Sequence, residues 1–423
     1  MQKLFLRTLE KNLRRGSVEV HLPNGERHRF GQEEPEVCWR FDDQRATGRI
    51  VRDPELALGE TYMDGAWDTD DLAGLLVTLM ENFPPPRGQM ARLTTALFDW
   101  FRPNRIGRSR RNVAHHYDLD EGLFRTFLDE DLQYSCAYFE QPEMDLEAAQ
   151  KAKCRHIAEK LLPEPGQRVL DIGSGWGGMA IRLAEEFDVD VTGLTLSTEQ
   201  QRVATQRARE RGVADKVRFH LQDYREHAGQ YDRIVSIGMF EHVGRAQYPT
   251  YFQQVKRLLA TDGVALIHSI GCFTPTGSNP WIQRYIFPGG RIPTLSEIGD
   301  AAGTGGLVTA DVEVWRLHYA RTLAEWRDRF QRQRDAVVER FGERFYRMWT
   351  FYLASCEAAF RVRDMAVFQF QLSQRLDTVP LTRDYLYARQ PAAQSRISAT
   401  PATINDPAAK WRGKPRSLNQ MAP

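Results

Sequence analysis

From Leu161 onward, short apolar runs alternate with amphipathic stretches, and this alternation narrows the fold more than any other feature of the chain. The runs RVLDI (168–172), VDVTGL (189–194), KVRFHL (216–221), DRIVSI (232–237) and GVALIHSI (263–270) have the length and β-branched content of buried strands. Between them, MAIRLAEEF, STEQQRVATQRARERG and YPTYFQQVKRLL carry apolar residues at helical spacing. Strands separated by helices need crossover connections, so the pattern predicts a parallel sheet flanked by helices, an α/β domain of Rossmann-like form. Ligands on such sheets bind beyond the carboxyl ends of the strands, which makes the residues just after each run the candidates for chemistry.

The first run leads into Gly173-Ser174-Gly175-Trp176-Gly177-Gly178, a Gly-x-Gly-x-x-Gly turn whose backbone can approach a ligand at a helix N-terminus. A dinucleotide site expects an acidic residue about 20 positions further on, at the end of the second strand. The chain there reads Gly193-Leu194-Thr195-Leu196-Ser197, without a carboxylate. Asp171 instead precedes the glycines, where it can fix the loop or hold a cation. This favours S-adenosylmethionine, whose sulfonium and ammonium are positive, over NAD with its negative pyrophosphate. Asp223 and Tyr224 follow the third run, where a carboxylate can accept from an adenine amino group and a ring can cover the base; a helix cap and a core tyrosine would read the same way. Glu241 follows the fourth run and His268 lies in the fifth, so both are expected to face one crevice, where they can trap a small base or act as one. His115-His116 is adjacent rather than helically spaced and no HExxH accompanies it, so no metal site is expected.

Upstream, SVEVHLP and ERHRFG flank Asn24-Gly25, which predicts a hairpin with a two-residue turn in a small N-terminal α+β unit. Asp68 or Thr69 is expected to cap the helix LAGLLVTLMENF, which stops at Pro84-Pro85-Pro86. Arg102, Arg105, Arg108, Arg110 and Arg111 then form a basic segment, either a solvated hinge or a patch worth about 1 kcal/mol per residue against anionic headgroups. The expected division is a unit at 1–95, a basic linker at 96–114, a catalytic domain at 115–390 with an inserted lid near 271–306, and a disordered tail at 391–423. The region from TLAEWRDRF through FQFQLSQRL is expected to be helical. Lys and Arg number 57 against 56 Asp and Glu, so no global field favours nucleic acid. Five scattered cysteines without a CxxC pair read as thiols of a reducing compartment. No cleavable leader and no run of about 18 apolar residues is evident, which predicts a cytoplasmic protein.

The ordered set His116-Tyr117-Asp118, Tyr134-Ser135-Cys136-Ala137-Tyr138-Phe139, the glycine turn, Gly193-Leu194-Thr195-Leu196-Ser197 with Gln200, Phe240-Glu241-His242, the segment WIQRYIFP (281–288) and His318-Tyr319-Ala320 resembles the cyclopropane-fatty-acyl-phospholipid synthase family and the related mycolic acid cyclopropane synthases. The resemblance spreads over about residues 1–385. It implies an S-adenosylmethionine-dependent methyltransferase fold with an N-terminal lipid-handling domain, and transfer of a methylene group to the cis double bond of a phospholipid acyl chain. By the same resemblance, Tyr134, Ser135, Gly173, Gly175, Thr195, Leu196, Gln200, Asp223 and Tyr224 contact the cofactor. Cys136, Glu241, His268, Ile270 (through its backbone) and Tyr319 hold a bicarbonate ion that acts as base. Cys356 matches a family cysteine often labelled catalytic, although the alkene attacks the methyl group itself and needs no enzyme nucleophile. The implied partners are unsaturated phospholipid and the anionic inner face of the cytoplasmic membrane, with a homodimer as the candidate assembly. A fatty acid C-methyltransferase making methyl-branched or methylene lipids, or a non-catalytic lipid-binding protein, are the alternatives. Asp120-Glu121-Gly122 departs from the family's Gly-Asn at that point, and the tail beyond Gln390 extends past its usual end.

Overall fold

A computed structural model describes residues 1–34, 36–84, 121–275, 277 and 279–387. The basic segment 102–111, the histidines at 115 and 116 and the tail from 391 lie outside the described residues. The N-terminal unit opens with the helix Gln2–Asn12 and continues through β1 (Ser17–His21), β2 (Arg27–Gly31), β3 (Glu36–Phe41) and β4 (Trp67–Thr69), arranged β2-β1-β3-β4. The β1–β2 hairpin has a three-residue turn rather than the expected two. Leu22 and Glu26 still pair (2.9 Å), only Gly25 takes positive φ (+87°), and Asn24 Oδ1 instead accepts from the Glu26 amide. Helices Gln44–Arg52, Pro54–Met63 and Leu72–Asn82 complete the unit. The last is capped by Asp71, whose Oδ1 accepts from the Gly74 amide at 2.9 Å, because Asp68 and Thr69 are already committed to β4.

All five expected strands form: β5 (Arg168–Ile172), β6 (Asp190–Thr195), β7 (Val217–Leu221), β8 (Tyr231–Ile237) and β9 (Leu259–Cys272), paired in parallel. Two further strands, β10 (Val308–Trp315) and β11 (Met365–Ser373), extend the sheet to the order β10-β11-β9-β8-β5-β6-β7, with β11 antiparallel to both neighbours. The helical expectation for FQFQLS is therefore wrong. The helix Glu343–Val362 ends first, and β11 is buried on both faces between β9 and β10. Its period-two alternation of Phe368, Phe370 and Leu372 with Gln369 and Gln371 was the available signal, masked by the aromatic density that precedes it.

The stretch 271–306 divides in two. The helix Pro280–Tyr285 packs on the N-terminal unit, whereas Leu295–Thr304 buries Ile298, Ala301 and Ala302 against the sheet as the crossover between β9 and β10. The N-terminal unit shares one apolar core with the helices His318–Arg332 and Glu343–Val362. Arg347 fastens the joint: its guanidinium donates to the carbonyls of Tyr62 and Trp67 and to Asp68, and lies 4.0 Å from the Tyr62 ring centroid. Gly59 sits where three elements meet. A Cβ there would collide with Trp281 Nε1 and stand 2.8 Å from Phe351 Cε1. Gly59→Ala is thus expected to destabilise the whole protein by about 1–3 kcal/mol despite alanine's better helix propensity; an unchanged or raised melting midpoint in calorimetry would contradict this packing.

Candidate active site

β5 delivers Asp171 to the carboxyl edge of the sheet, and the chain then turns through Gly173, Gly175 and Gly177, all at positive φ, into the helix Gly178–Phe187. A side chain at Gly173 would meet Met239, and one at Gly177 would meet Phe219 and Ala204. At Gly175 nothing lies within 4 Å, so its Cα borders open space. That space is a crevice lined by every residue expected at the cofactor: Tyr134, Ser135, Asp171, Gly173, Gly175, Thr195, Leu196, Gln200, Asp223 and Tyr224. Gln133, Trp176, Arg225, Met239, His242, Pro288 and Gly289 line it too and were not anticipated. Thr195 Oγ1 donates to Gln200 Oε1 (2.8 Å), and Arg225 grips Asp223 through both carboxylate oxygens (2.8 and 2.7 Å).

Two buried groups tune this crevice. Burial pushes the Asp171 carboxyl up to about 7, against the pull of Lys153, and its Oδ2 has no hydrogen-bond partner. An unsatisfied buried acceptor beside an open glycine suits a ligand that brings a donor or a positive charge. Lys153, fully buried on the helix Leu146–Leu161, donates to Gln133 Oε1 (2.5 Å) and Ser135 Oγ (2.9 Å), while Gln150 Nε2 holds the carbonyls of the same two residues. No local signal marks this arrangement, because QKAKCRHIAEKL looks like an ordinary helix with solvated lysines.

A second cluster adjoins the first. Glu241 opens onto it from the 3₁₀ turn Phe240–His242 after β8, with Oε1 accepting from the Ile270 amide on β9 (2.6 Å) and Oε2 buried without a partner. Burial pushes Glu241 up to about 7, opposed by its own amide, the Ile270 amide and the Ser269 hydroxyl. The Tyr319 phenol is held well above its usual range by burial, and the neighbouring ionisable groups acting in the same direction are Tyr134, Cys136, Cys356 and Glu241. Those four groups therefore lie in the neighbourhood of the Tyr319 phenol. The Ile270 amide, however, is already engaged by Glu241. His268 lies two residues before Ile270 on the same face of β9, is driven well below its usual range by burial, and packs edge-on to Trp315 at 5.3 Å. Burial also pushes Cys356 up to about 12, so it is a thiol and no nucleophile at neutral pH. Aromatic rings enclose the cluster: Tyr134 hydrogen-bonds Tyr352 (2.8 Å), and Tyr319 packs on Phe360 and Trp326. Away from this centre, Glu19, His21 and Cys38 come together on β1 and β3, a group of metal-ligand types that the sequence reading did not assemble.

The sheet order, the glycine turn and the unpaired carboxylate beneath it define the S-adenosylmethionine-dependent methyltransferase class. The model of the mycolic acid cyclopropane synthetase family matches residues 105–370, and the chain belongs to that family. A domain of unknown function matches residues 5–82. The cyclopropane-fatty-acyl-phospholipid synthase of Escherichia coli (strain K12) is 40% identical over 338 residues, 78% of this chain and 86% of that protein. Tuberculostearic acid methyltransferase UfaA1 of Mycobacterium tuberculosis is 38% identical over 349 residues, 77% of this chain and 80% of that protein. The crystal structure of mycolic acid cyclopropane synthase CmaA1, complexed with SAH and CTAB, superposes with a TM-score of 0.60 at 36% identity, covering 62% of this chain and 97% of that one.

Two outcomes follow from the crevice and the cluster. Gly175→Val puts a branched side chain into the open space at a backbone of φ +53° and is expected, by blocking the ligand and straining the turn, to weaken S-adenosylmethionine binding about 100-fold or more, about 3 kcal/mol, while the circular dichroism spectrum is kept; undiminished affinity by calorimetry would contradict it. In the ligand-free protein, the Glu241 carboxyl ionises near pH 4.3 when unfolded but near 7 when folded. The folded state therefore binds more protons between those values, and stability falls as pH rises until it levels above 7. Glu241→Gln removes that fall, so its stabilising effect should grow through pH 5–7 towards the order of 3 kcal/mol in denaturant melts; a pH-independent difference would contradict the buried, protonated carboxyl.

Proposed function

We propose that this enzyme is a cyclopropane-fatty-acyl-phospholipid synthase, converting the cis double bond of an unsaturated phospholipid acyl chain into a cyclopropane with a bicarbonate ion as base. The observation that carries this reading is Glu241, buried with one oxygen satisfied by Ile270 and the other unpartnered, acting electrostatically on Tyr319 and next in the chain to His242, which lines the cofactor crevice. When bound, S-adenosylmethionine supplies an electrophilic methyl group and bicarbonate a proton acceptor. Asp171 offers its unpaired oxygen to the cofactor's positive amino-acid end, Asp223 and Tyr224 take the adenosine end, and the open Cα of Gly175 leaves room between. Glu241 Oε2 suits the hydroxyl of a bicarbonate, and the phenol of Tyr319 suits one of its oxygens.

The alkene would attack the methyl carbon as its bond to the sulfonium sulfur breaks, S-adenosylhomocysteine leaving with that electron pair and positive charge remaining on the chain, and ring closure requires a proton to leave the added methyl for the base. The faces of Tyr134, Tyr319, Trp326 and Phe360 favour that charge and exclude the water that would quench it. Cys136 and Cys356, both held as thiols by burial, fill space around the cluster. Among the described residues no helix is long and apolar enough to cross a membrane. We take the lipid to be reached from the membrane surface, with the N-terminal unit handling lipid and the arginines at 102–111 drawn to anionic headgroups.

A second reading, a C-methyltransferase making branched or methylene chains, is favoured by the 38% identity to a tuberculostearic acid methyltransferase. The fate of the methyl hydrogens separates the possibilities. With CD₃-labelled S-adenosylmethionine and monounsaturated phospholipid, two deuteriums in a product with no remaining double bond are expected. Two deuteriums with a double bond that hydrogenates would mark a methylene product, and three would refute the base.

A further inference from the structure

The sequence places His268 in the active centre but says nothing of its proton. On β11, Gln369 stands directly opposite His268 in the antiparallel register, and its Nε2 lies 3.0 Å from His268 Nδ1. The other end of the amide is fixed independently: Lys160 Nζ is 2.9 Å from Gln369 Oε1. An ammonium only donates, so that end must be the oxygen, and the end facing the imidazole must be the NH₂ group. An amide nitrogen also only donates, so Nδ1 must offer a lone pair.

The anchor is itself held. Lys160 is buried and ion-paired with Glu313, whose Oε2 also receives His156 at 2.7 Å, and Gln371 Nε2 donates to the Lys160 carbonyl at 2.6 Å. The charged groups facing His268 are Lys153, Lys160 and Glu313. The two lysines and burial oppose a second ring proton, and only Glu313 favours one. We infer that Lys160 and Gln369 are positioning residues that lock His268 as the neutral tautomer with its proton on Nε2, making it a hydrogen-bond donor in the reaction rather than the base. The tautomer stands on these contacts alone, while its use in the reaction rests on the function proposed above. The amide is the important element. A glutamine passes on orientation without relaying a proton, so the Glu313–Lys160–His156 ion cluster fixes the ring yet acts on it only through space. A carboxylate at position 369 would instead accept from Nδ1–H and reverse the tautomer.

The test uses the full-length enzyme with ¹⁵N-labelled histidine, the His268 signals being those absent from His268→Gln. Wild type is expected to show a lone-pair Nδ1 and a protonated Nε2 from pH 6 to 8. Gln369→Glu should protonate Nδ1 and lower kcat by about tenfold or more, as a wrong tautomer does elsewhere, with KM for S-adenosylmethionine and the melting midpoint unchanged. Gln369→Leu, which neither donates nor accepts, should give a tautomer mixture and a smaller loss. Turnover is read as S-adenosylmethionine consumed with unsaturated phospholipid, whichever lipid forms, so a failed cyclopropane assignment leaves this test intact. A protonated Nδ1 in wild type would overturn the lock, and a reversed tautomer with unchanged kcat would overturn the donor role.

Discussion

The pairing of β9 on both its edges is the constraint on which the active centre depends. Its parallel edge sets Ile237 of β8 opposite His268, which brings the turn after β8, and hence Glu241, to the Ile270 amide. Its antiparallel edge sets Gln369 opposite the same histidine. Because side chains alternate along a strand, a slip of one residue on either edge would turn His268 and Ile270 to the opposite face and leave Glu241 facing no donor. Two strands of opposite direction thus hold one short stretch of chain in place.

Burial then assigns the chemistry. The same low-dielectric surroundings raise both carboxyls, Asp171 and Glu241, towards neutrality and depress His268. Unshifted values would have made Glu241 an anion and left His268 titrating near neutral pH. Instead Glu241 can hold or share a proton near pH 7, and His268 keeps a single one. The cysteines follow the same logic: enclosed among aromatic rings, Cys136 and Cys356 stay protonated and fill space.

The strands and the crevice were legible because their signals are local. Short apolar runs separated by helical stretches mark β5 to β9, and the residues that follow them meet in space simply because parallel strands share one carboxyl edge. What escaped depends on partners distant in sequence. Lys153 and Gln150 support the crevice across 15–20 residues, Lys160 reaches Gln369 across 209, and nothing in either neighbourhood distinguishes these side chains from solvated ones. β11 was hidden by a different cause: the aromatic helix before it supplies the same composition at another period. The Asp71 cap was missed by two to three positions because a short strand, invisible to periodicity, occupies the preceding residues.

The aromatic contacts that join the N-terminal unit to the rest carry a consequence for access. Rings touch in an unbroken line from Phe5 to Trp39, Trp67, Tyr62 and then Phe351 on the helix Glu343–Val362, and that helix carries Tyr352 to its hydrogen bond with Tyr134 at the crevice. Swinging the N-terminal unit away as a rigid body would wet this entire seam at once. The stretch between β9 and the helix Leu295–Thr304 is stitched into the same seam, since Trp281 packs on Phe351 and Phe287 on Tyr352, and it reaches the crevice through Pro288 and Gly289. The wall of the crevice and the N-terminal unit are thus sealed by one set of rings, so a change at either is felt at the other.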